Sequence, residues 1–543
     1  MENKNLEEIK KSLILEIQNR VNDKIIEQTN AELLIELIEN ANTITKAIAI
    51  AELGTTYKRT GFHFDKRLEK MGSEIKYLKK NDSLSFIGNN ENKHKLIIGD
   101  NYDSLLNLLI SHRKLIDVIY IDPPYGSDSL GDFANTNYNN SITRDNLLSM
   151  LYSRLIIAKE LLSEDGVIFV SIDDKNQSYI KCLMDDIFGE DKFLFVAPRI
   201  TKKGGKSTNT IQKNHDYLIA YSVSKEIEFS QEDKDISSYT LEDDFVETRG
   251  KYKLSQTLDY NSLQYSKNMD YVIEINGRTF IPGGSLEEQQ KRHNGEHGKT
   301  DWVWRWSKSA VEWGIKEGLI VIKGDRLYTK TYLNCRKING KNDFEFIDAT
   351  KSYTSLSYIE NEFSNDNGKK ELDKIFNESN KIFKNPKPSL LISKLIKMMC
   401  PKNDAIILDF FAGSGTTGHA VLELNKEDNG NRKFILCTNN EITESNPNGI
   451  AYDVTSKRLK RIMTGKCYDN SSNFDWIKNN EPFNDSLDVF EISSVHNSSH
   501  FNGKTPFDLI NEEHYDIKKF NSLDEKISWI CSNFENTQKY LSK

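Results

Sequence analysis

Short apolar runs alternate with amphipathic stretches along much of the chain. Runs of strand length and apolar character occur at residues 118–121, 167–172, 405–410 and 433–438, and turn residues or helically spaced apolar positions follow them. This alternation predicts parallel strands joined by helices, which is the pattern of an α/β fold with a doubly wound, mostly parallel, Rossmann-like sheet.

The pattern changes four times and therefore predicts five segments. Residues 1–88 carry apolar positions at helical spacing, such as Leu13, Ile17 and Val21, and are predicted to be helical. The strand–helix alternation follows in residues 89–225, stops in an aromatic-rich inserted region and resumes later. The remaining predicted segments are the inserted region at 226–380, the second α/β segment at 381–470 and a C-terminal accessory or dimerisation region at 471–543.

Composition narrows the class of protein. The chain has 543 residues, 37% hydrophobic and 28% charged, with a net charge of −8, which excludes a disordered chain and a wholly basic DNA-packaging protein. Its six cysteines include no Cys-x-x-Cys pair, so we expect a reducing compartment. No apolar run approaches the ~18 residues of a membrane helix, and the first residues do not resemble a signal peptide. We therefore expect a soluble, cytoplasmic protein without membrane contact.

A glycine-rich turn follows the predicted strand at 405–410. Gly413, Gly415 and Gly418 have the spacing of a dinucleotide-binding turn, in which glycines permit close backbone approach to a ligand. A phosphate-binding P-loop is excluded, because His419 and Ala420 replace its Lys and Ser/Thr. The residues leave three possibilities: a nicotinamide cofactor, S-adenosylmethionine, or a turn that only packs. Glu441, after the next strand, is either a ribose ligand or an ordinary solvated carboxylate.

A second turn, Asp122-Pro123-Pro124-Tyr125, ends another apolar strand. Two prolines cannot continue a buried strand, so the chain must leave the sheet here. An exocyclic amine of a nucleobase is a poor nucleophile, and acceptors such as the Asp122 carboxylate and the Pro123 carbonyl would favour its reactive form. The Tyr125 ring offers a flat surface for a base taken out of the helix. Such residues suit methyl transfer by positioning, without a metal ion. The alternative is a strand that simply ends in a proline turn.

Together the two turns resemble the S-adenosylmethionine-dependent DNA amino-methyltransferases. The catalytic turn precedes the glycine turn, which is the circularly permuted order of the beta class of that family. The chain is similar to this class also at residues 99–102, 163–174, 214–217 and 385–388. Residues 304–307 and 453–461 are similar to the modification (Mod) subunit of Type III restriction–modification systems.

The resemblance implies a role for each matching residue. Asp409, Phe411, Gly413 and Gly415 would line the methionine end of the cofactor, Glu441 would face the ribose, Asp100 would reach the adenine, and Lys387 would close the methionine pocket. Asp122, Pro123, Pro124 and Tyr125 would hold the target base. An Asp at the first catalytic position favours adenine N6 over cytosine N4. The Type III resemblance further implies duplex DNA as substrate, a homodimer, and a restriction partner subunit with helicase and nuclease activity.

DNA contacts are expected in a basic stretch and in the inserted region. Residues 191–225 contain seven Lys or Arg against two Asp. Lys202, Lys203 and Lys206 could contact phosphates, although a solvated hairpin loop is the alternative, and His215 borders the base pocket by resemblance. The inserted target-recognition region would read the DNA sequence.

Several alternatives stay open at this stage. His293 and His297 match a zinc motif formally, but the Asn-Gly between them indicates a turn rather than the helix that motif requires. The rival functions are a Type II or solitary adenine-N6 or cytosine-N4 methyltransferase, a nicotinamide-dependent oxidoreductase, and a DNA-binding restriction subunit with an inactive methylation site.

Overall fold

The computed structural model describes most of the chain. The described residues are 2–22, 28–53, 74–125, 143–204, 211–377, 382–400, 402–496 and 505–541. They form two compact units. The larger comprises Met1–Phe229 with Thr354–Lys543, and the smaller is Ser230–Tyr353.

Three helices form the N-terminal module of the larger unit: α1 (Glu2–Asn22), α2 (Gln28–Glu39) and α3 (Ile44–Leu53). Their apolar faces pack on one another around a small core that includes Ile17, Ile38 and Ala47. The apolar residues that recur at helical spacing in the sequence therefore form the packed faces of helices in this module.

The first α/β segment of the larger unit alternates strands and helices as predicted. Its elements are β1 (Glu74–Lys80), β2 (Lys93–Ile98), α4 (Asn101–His112), β3 (Ile116–Ile121), α5 (Thr143–Leu161), β4 (Leu162–Ile172), α6 (Gln177–Phe188), β5 (Phe193–Ile200) and β6 (His215–Ser222).

The smaller unit is built from short antiparallel ladders and short helices. Trp304, in the middle of its apolar core, is 2% exposed. The first and last strands of the unit pair with each other, Asp233 opposite Thr350. Its elements are β7 (Glu232–Asp233), α7 (Val246–Arg249), β8 (Tyr252–Thr257), β9 (Asp259–Asn261), β10 (Ile273–Ile275), β11 (Arg278–Phe280), α8 (Leu286–His293), β12 (Trp302–Trp304), α9 (Lys308–Lys316), β13 (Ile320–Lys323), β14 (Arg326–Tyr332), β15 (Cys335–Lys337), β16 (Phe344–Phe346) and β17 (Thr350–Lys351).

The rest of the chain returns to the larger unit. A π-helical turn, Ala451–Ser456, runs directly into α13. The elements are α10 (Asn365–Phe376), α11 (Ser389–Met399), β18 (Ile406–Asp409), α12 (Thr416–Asp428), β19 (Lys433–Thr438), α13 (Lys457–Thr464), β20 (Ser486–His496), α14 (Pro506–Leu509) and α15 (Leu523–Leu541).

Nine strands of the larger unit form one sheet in the order β1-β20-β2-β19-β18-β3-β4-β6-β5. All pairings from β20 to β4 are parallel, and β1, β6 and β5 are antiparallel to their neighbours. The predicted α/β class with a mostly parallel sheet is confirmed. Ile407 of β18 lies opposite Val118 of β3, so the carboxyl ends of these two neighbours, Asp409 and Asp122, reach the same edge of the sheet.

Three segment predictions need correction. Residues 74–80 form the strand β1, so the helical prediction for residues 1–88 is wrong there. The region 471–543, predicted to be accessory, contributes β20, which lies between β1 and β2. Residues 354–377, predicted to belong to the inserted domain, lie in the larger unit, and the compact insert ends at Tyr353. None of the described helices is long and apolar enough to cross a membrane.

Candidate active site

A cavity of about 610 Å³ opens in the larger unit at the carboxyl ends of β3 and β18. Residues distant in sequence meet around it. The predicted residues in its wall are Asp122, Pro123, Pro124, Tyr125, Lys202, Lys387, Phe411, Gly413 and Glu441. Its volume lies in the range of small-molecule and cofactor sites.

The Asp-Pro-Pro-Tyr turn begins where β3 ends. The Tyr125 hydroxyl donates to Asp122 Oδ1 at 2.6 Å. Asn176 Nδ2 donates to the Tyr125 carbonyl at 2.8 Å, which fixes the end of the turn. Burial, Asp122 and Asp216 raise the pKa of Tyr125 well above its ordinary value, so the hydroxyl remains a donor.

Lys387 follows this turn by more than 260 residues in the sequence and forms hydrogen bonds to it. Its Nζ donates to Asp122 Oδ2 at 2.6 Å and to the Tyr125 hydroxyl at 2.9 Å. The side chain is only 5% exposed. Both Asp122 oxygens therefore carry a donor in this structure, and the carboxylate is oriented from two sides.

Asp216 is a wall residue that the sequence analysis did not select. It is 2% exposed and pairs with the fully buried Arg199, whose Nε donates to Asp216 Oδ1 at 2.8 Å. Asp216 Oδ2 lies 3.4 Å from the Tyr125 hydroxyl and 4.0 Å from Lys387 Nζ. A second carboxylate thus borders the catalytic turn, neutralised by its own arginine.

His215, which was selected, lies outside the cavity wall. Its side chain is exposed and its Nε2 is 3.1 Å from the Tyr217 hydroxyl. Successive side chains of a strand point to opposite faces, so Asp216 faces the cavity and His215 does not. No local pattern in β6 singles out Asp216, because its partners Arg199 and Tyr125 come from other parts of the chain.

The glycine turn requires its glycines for conformational and steric reasons. Gly413 has a φ of +48°, Gly415 has a φ of +77°, and a Cβ on Gly413 would lie 2.9 Å from Phe383 Cζ. Gly415 is the N-cap of α12, so the turn presents the amino end of that helix. Gly413 and Phe411 form part of the cavity wall, whereas Gly415 lies behind it.

Asp409 also lies behind the wall. Its Oδ1 accepts the Phe411 N–H at 3.0 Å, and its Oδ2 accepts the Thr417 hydroxyl at 2.5 Å. Burial raises its pKa to about 7. Both oxygens of Asp409 accept hydrogen bonds from the turn, and its predicted contact with the cofactor stays a prediction.

The Asp100 carboxylate already has hydrogen-bond partners in the protein, whereas the Glu441 carboxylate is exposed. The Asp100 carboxylate caps α4 by accepting the Tyr102 N–H at 2.7 Å and pairs with the buried Arg154 at 3.2 Å. The adjacent Asn101 lines the cavity instead. Glu441 is exposed and lies in the cavity wall, where a carboxylate can accept hydrogen bonds from hydroxyls.

The basic residues selected for DNA contacts fall in three places. Lys202 lies in the cavity wall, and Lys203 is exposed next to it. Lys206 lies outside the described residues. Lys213, which was counted only in the local charge, is a further wall residue and pairs with Asp174 at 3.4 Å.

The formal zinc motif is not on one helix. Helix α8 ends at His293, and His297 follows in a turn where its Nδ1 lies 3.0 Å from the Gly298 carbonyl. Within the described residues no group of three or more His, Cys, Asp or Glu is arranged to hold a metal ion.

Comparison with known proteins identifies relatives for most of the chain. The DNA methylase family matches residues 116–446, and a family of uncharacterised conserved proteins matches residues 2–118. The Type II methyltransferase M.KpnI of Klebsiella pneumoniae is 32% identical over 74% of this chain and 91% of its own length.

Several relatives are named as Mod subunits of Type III restriction–modification enzymes. The StyLTI Mod subunit of Salmonella typhimurium is 28% identical over 69% of this chain, and the match spans 58% of that relative's length. The EcoPI Mod subunit of Escherichia phage P1 is 25% identical over 80% of this chain and 76% of its own length.

Proposed function

This chain belongs to the DNA methylase family, and from this premise we propose that it transfers a methyl group from S-adenosylmethionine to the N6 amine of an adenine flipped out of duplex DNA. One observation carries the proposal. The Asp-Pro-Pro-Tyr turn and the glycine turn, far apart in sequence, line a single cavity. This arrangement allows one pocket to hold a methyl donor beside a base amine.

On the base side, Asp122 and Tyr125 supply the contacts. The Asp122 carboxylate and the Pro123 carbonyl accept the two amine hydrogens, which draws the nitrogen lone pair out of conjugation with the ring. The Tyr125 ring stacks on the base. Asp122 is then placed to take one amine proton once the nitrogen has gained its methyl group.

On the cofactor side, the residues present fit S-adenosylmethionine. This cofactor supplies a sulfonium-activated methyl group when bound. Gly413 and Phe411 shape the wall at the amino end of α12, where free N–H groups favour a carboxylate. Glu441 offers an exposed carboxylate to ribose hydroxyls, and Lys387 offers a cation at the junction of the two sides.

Base binding adds a further hydrogen bond to Asp122. The Lys387 ammonium lies 2.6 Å from Asp122 Oδ2, the oxygen to which an exocyclic amine would donate. A carboxylate oxygen has two lone pairs, so the amine can donate to Oδ2 while Lys387 keeps the carboxylate in place.

DNA binding is proposed for two regions. Lys202 and Lys203 contact backbone phosphates around the cavity mouth, where their charges favour a polyanion. Lys206 is proposed as a further phosphate contact. The smaller unit, Ser230–Tyr353, reads the recognition sequence. We place the reaction in the cytoplasm, with the DNA.

We further propose that the chain is the modification subunit of a Type III system, with a restriction subunit as partner. The names of two relatives support this proposal. A Type II methyltransferase is the second candidate, because the match to M.KpnI extends over 91% of that relative. Co-purification of a helicase–nuclease subunit with the tagged chain favours Type III, and its absence from host extracts favours Type II. The homodimer remains a prediction.

Single-molecule sequencing of DNA from cells that express the chain tests the central proposal. We expect N6-methyladenine at one short sequence motif, and no such signal with Asp122→Ala. N4-methylcytosine at the motif would overturn the assignment to adenine. A genome without methylation, together with methyl transfer absent in vitro, would support a restriction subunit with an inactive site.

Calorimetry separates the proposal from the nicotinamide rival. We expect wild type and Asp122→Ala to bind S-adenosylmethionine with similar affinity, because Asp122 lies on the base side. Tight binding of NAD without binding of S-adenosylmethionine would eliminate a methyltransferase.

A further inference from the structure

A buried ionic cluster lies directly behind the glycine turn. It joins Arg458 of α13, Glu371 of α10 and His419 of α12, and Arg458 is fully buried. Arg458 belongs to the run 453–461, to which the sequence analysis gave no chemical role. The cluster lies outside the cavity wall.

Arg458 contacts the backbone of the glycine turn and the side chain of Thr416, the first residue of α12. Its Nη1 donates to Thr416 Oγ1 at 2.9 Å and lies 3.3 Å from the Ser414 carbonyl. Ser414 lies between Gly413 and Gly415, whose dihedral angles are both in the left-handed region. Glycines alone leave such a turn free to choose other conformations, and a buried guanidinium on the Ser414 carbonyl restricts that choice.

Glu371 fixes the other side of Arg458. Its Oε1 accepts from Arg458 Nη2 and from His419 Nδ1, the latter at 2.9 Å. Its Oε2 accepts the Ser389 N–H at 3.0 Å and the Ser389 hydroxyl at 2.9 Å. Although burial opposes ionisation, Arg458 and His419 hold the pKa of Glu371 at about 2, so the carboxylate stays charged.

Ser389 connects this cluster to Lys387. It is the first residue of α11 and follows Lys387 by two positions. The Thr416 hydroxyl that Arg458 contacts also lies 3.3 Å from the Lys387 carbonyl. One carboxylate thus links the glycine turn to the segment that carries Lys387.

We propose that Arg458 and Glu371 are positioning residues for cofactor binding, which set the conformation of the turn at Gly413–Gly415 and its distance from Lys387. This inference rests on the proposed function, because it concerns the same cofactor. The cluster acts through the turn and touches neither the methyl donor nor the base.

The test compares Arg458→Lys with Arg461→Lys in the full-length protein. Arg461 lies on the same helix and donates to the Ile375 carbonyl of α10 at 2.8 Å, but it has no contact with the turn among the described residues. A lysine at 458 keeps the charge and can still pair with Glu371, but it cannot reproduce the two-armed contact. We expect Arg458→Lys to weaken binding of S-adenosylhomocysteine, measured by calorimetry, by about tenfold or more, and Arg461→Lys to change it less than about twofold.

Kinetics distinguish positioning from general destabilisation. In Arg458→Lys the KM for S-adenosylmethionine should rise while kcat at saturating cofactor stays near wild type. A melting temperature is measured in parallel, because a purely structural role would lower it without changing the affinity of the folded protein. Unchanged affinity in folded Arg458→Lys, or equal weakening in both variants, would overturn the inference.

Glu371→Gln provides a second variant if Arg458→Lys does not fold. It removes the charge that holds Arg458 and keeps the size of the side chain, so we expect the same loss of affinity. Wild-type affinity in this variant would also overturn the inference. Failure of the wild-type protein itself to bind S-adenosylhomocysteine would overturn the proposed function instead.

Discussion

Asp122 shares its carboxylate between the Tyr125 hydroxyl and the Lys387 ammonium, at 2.6 Å each. The Lys387 ammonium places a positive charge in a site that also contains the Asp216 carboxylate, which lies 4.0 Å from Lys387 Nζ. Without this cation, Asp122 would be oriented from one side only, by the Tyr125 hydroxyl. The lysine therefore contributes to the geometry of the base site as well as to the cofactor site.

Replacing Lys387 by methionine tests this role. We expect kcat for methyl transfer to fall by about 10²-fold, because a displacement of the Asp122 acceptor by a fraction of an ångström misaligns the amine. Lys397→Met is the matched control, since Lys397 is a surface residue of α11 that pairs with Glu427. Single-turnover assays at saturating cofactor measure both variants. Equal rates in the two would contradict the role.

Asp409 predicts a pH dependence of stability. Burial raises its pKa from 3.8 to about 7, so between these values the folded protein binds a proton that the unfolded chain releases. The stability that Asp409 contributes is therefore highest below pH 4 and declines as pH rises through about 7.

The comparison with Asp409→Asn isolates this contribution, because the amide does not titrate. From pH 5 to pH 8, wild type should lose roughly 2–3 kcal/mol of unfolding free energy relative to the variant. Denaturant unfolding of the cofactor-free proteins measures the difference. Curves that stay parallel across this range would show that the carboxyl is ionised throughout.

At the residue scale, the sequence predicts site residues where a short motif contains them. Asp122, Tyr125 and Gly413 were selected from local sequence and line one cavity. Asp216 was missed because its importance comes from Arg199 and Tyr125, which only the folded chain brings to it. Asp409 was selected, but its hydrogen bonds to Phe411 and Thr417 depend on the path of the turn.

At the scale of elements, the four apolar runs at 118–121, 167–172, 405–410 and 433–438 correspond to buried strands with parallel neighbours. β3 and β19 contain the apolar runs 118–121 and 434–437, which is typical of strands covered on both faces. β1 contains three lysines and one glutamate in seven residues, so its pattern did not indicate a strand. Its partner β20 lies more than 400 residues away, and pairing at that separation leaves no local signal.

The position of β20 predicts that the C-terminal region is required for folding. Val489 is fully buried on this strand, whereas Ser494 is exposed. Val489→Asp should lower the free energy of unfolding by roughly 4 kcal/mol or more, because it buries an unpaired charge. Ser494→Asp should change it by less than about 0.5 kcal/mol. A well-folded Val489→Asp protein, judged by its unfolding midpoint, would mean that β20 is peripheral.

For the whole molecule, the α/β unit and the insert divide the proposed function between them. All residues assigned to the cofactor and the base belong to the larger unit. The insert forms its own apolar core, and its terminal strands pair at Asp233 and Thr350. Its two ends therefore lie close together, and a short linker can replace the insert without stretching the chain.

Replacing Ser230–Tyr353 by a Gly–Ser linker of about six residues should separate chemistry from recognition. We expect S-adenosylmethionine to bind the shortened protein within about threefold of the wild-type affinity, because the glycine turn and Lys387 keep their contacts. Methylation at the recognition motif should be lost, since selection of the site is assigned to the insert. Calorimetry and single-molecule sequencing of modified plasmid measure these two properties. If the shortened protein still methylated the same DNA motif, sequence recognition would have to lie in the larger unit.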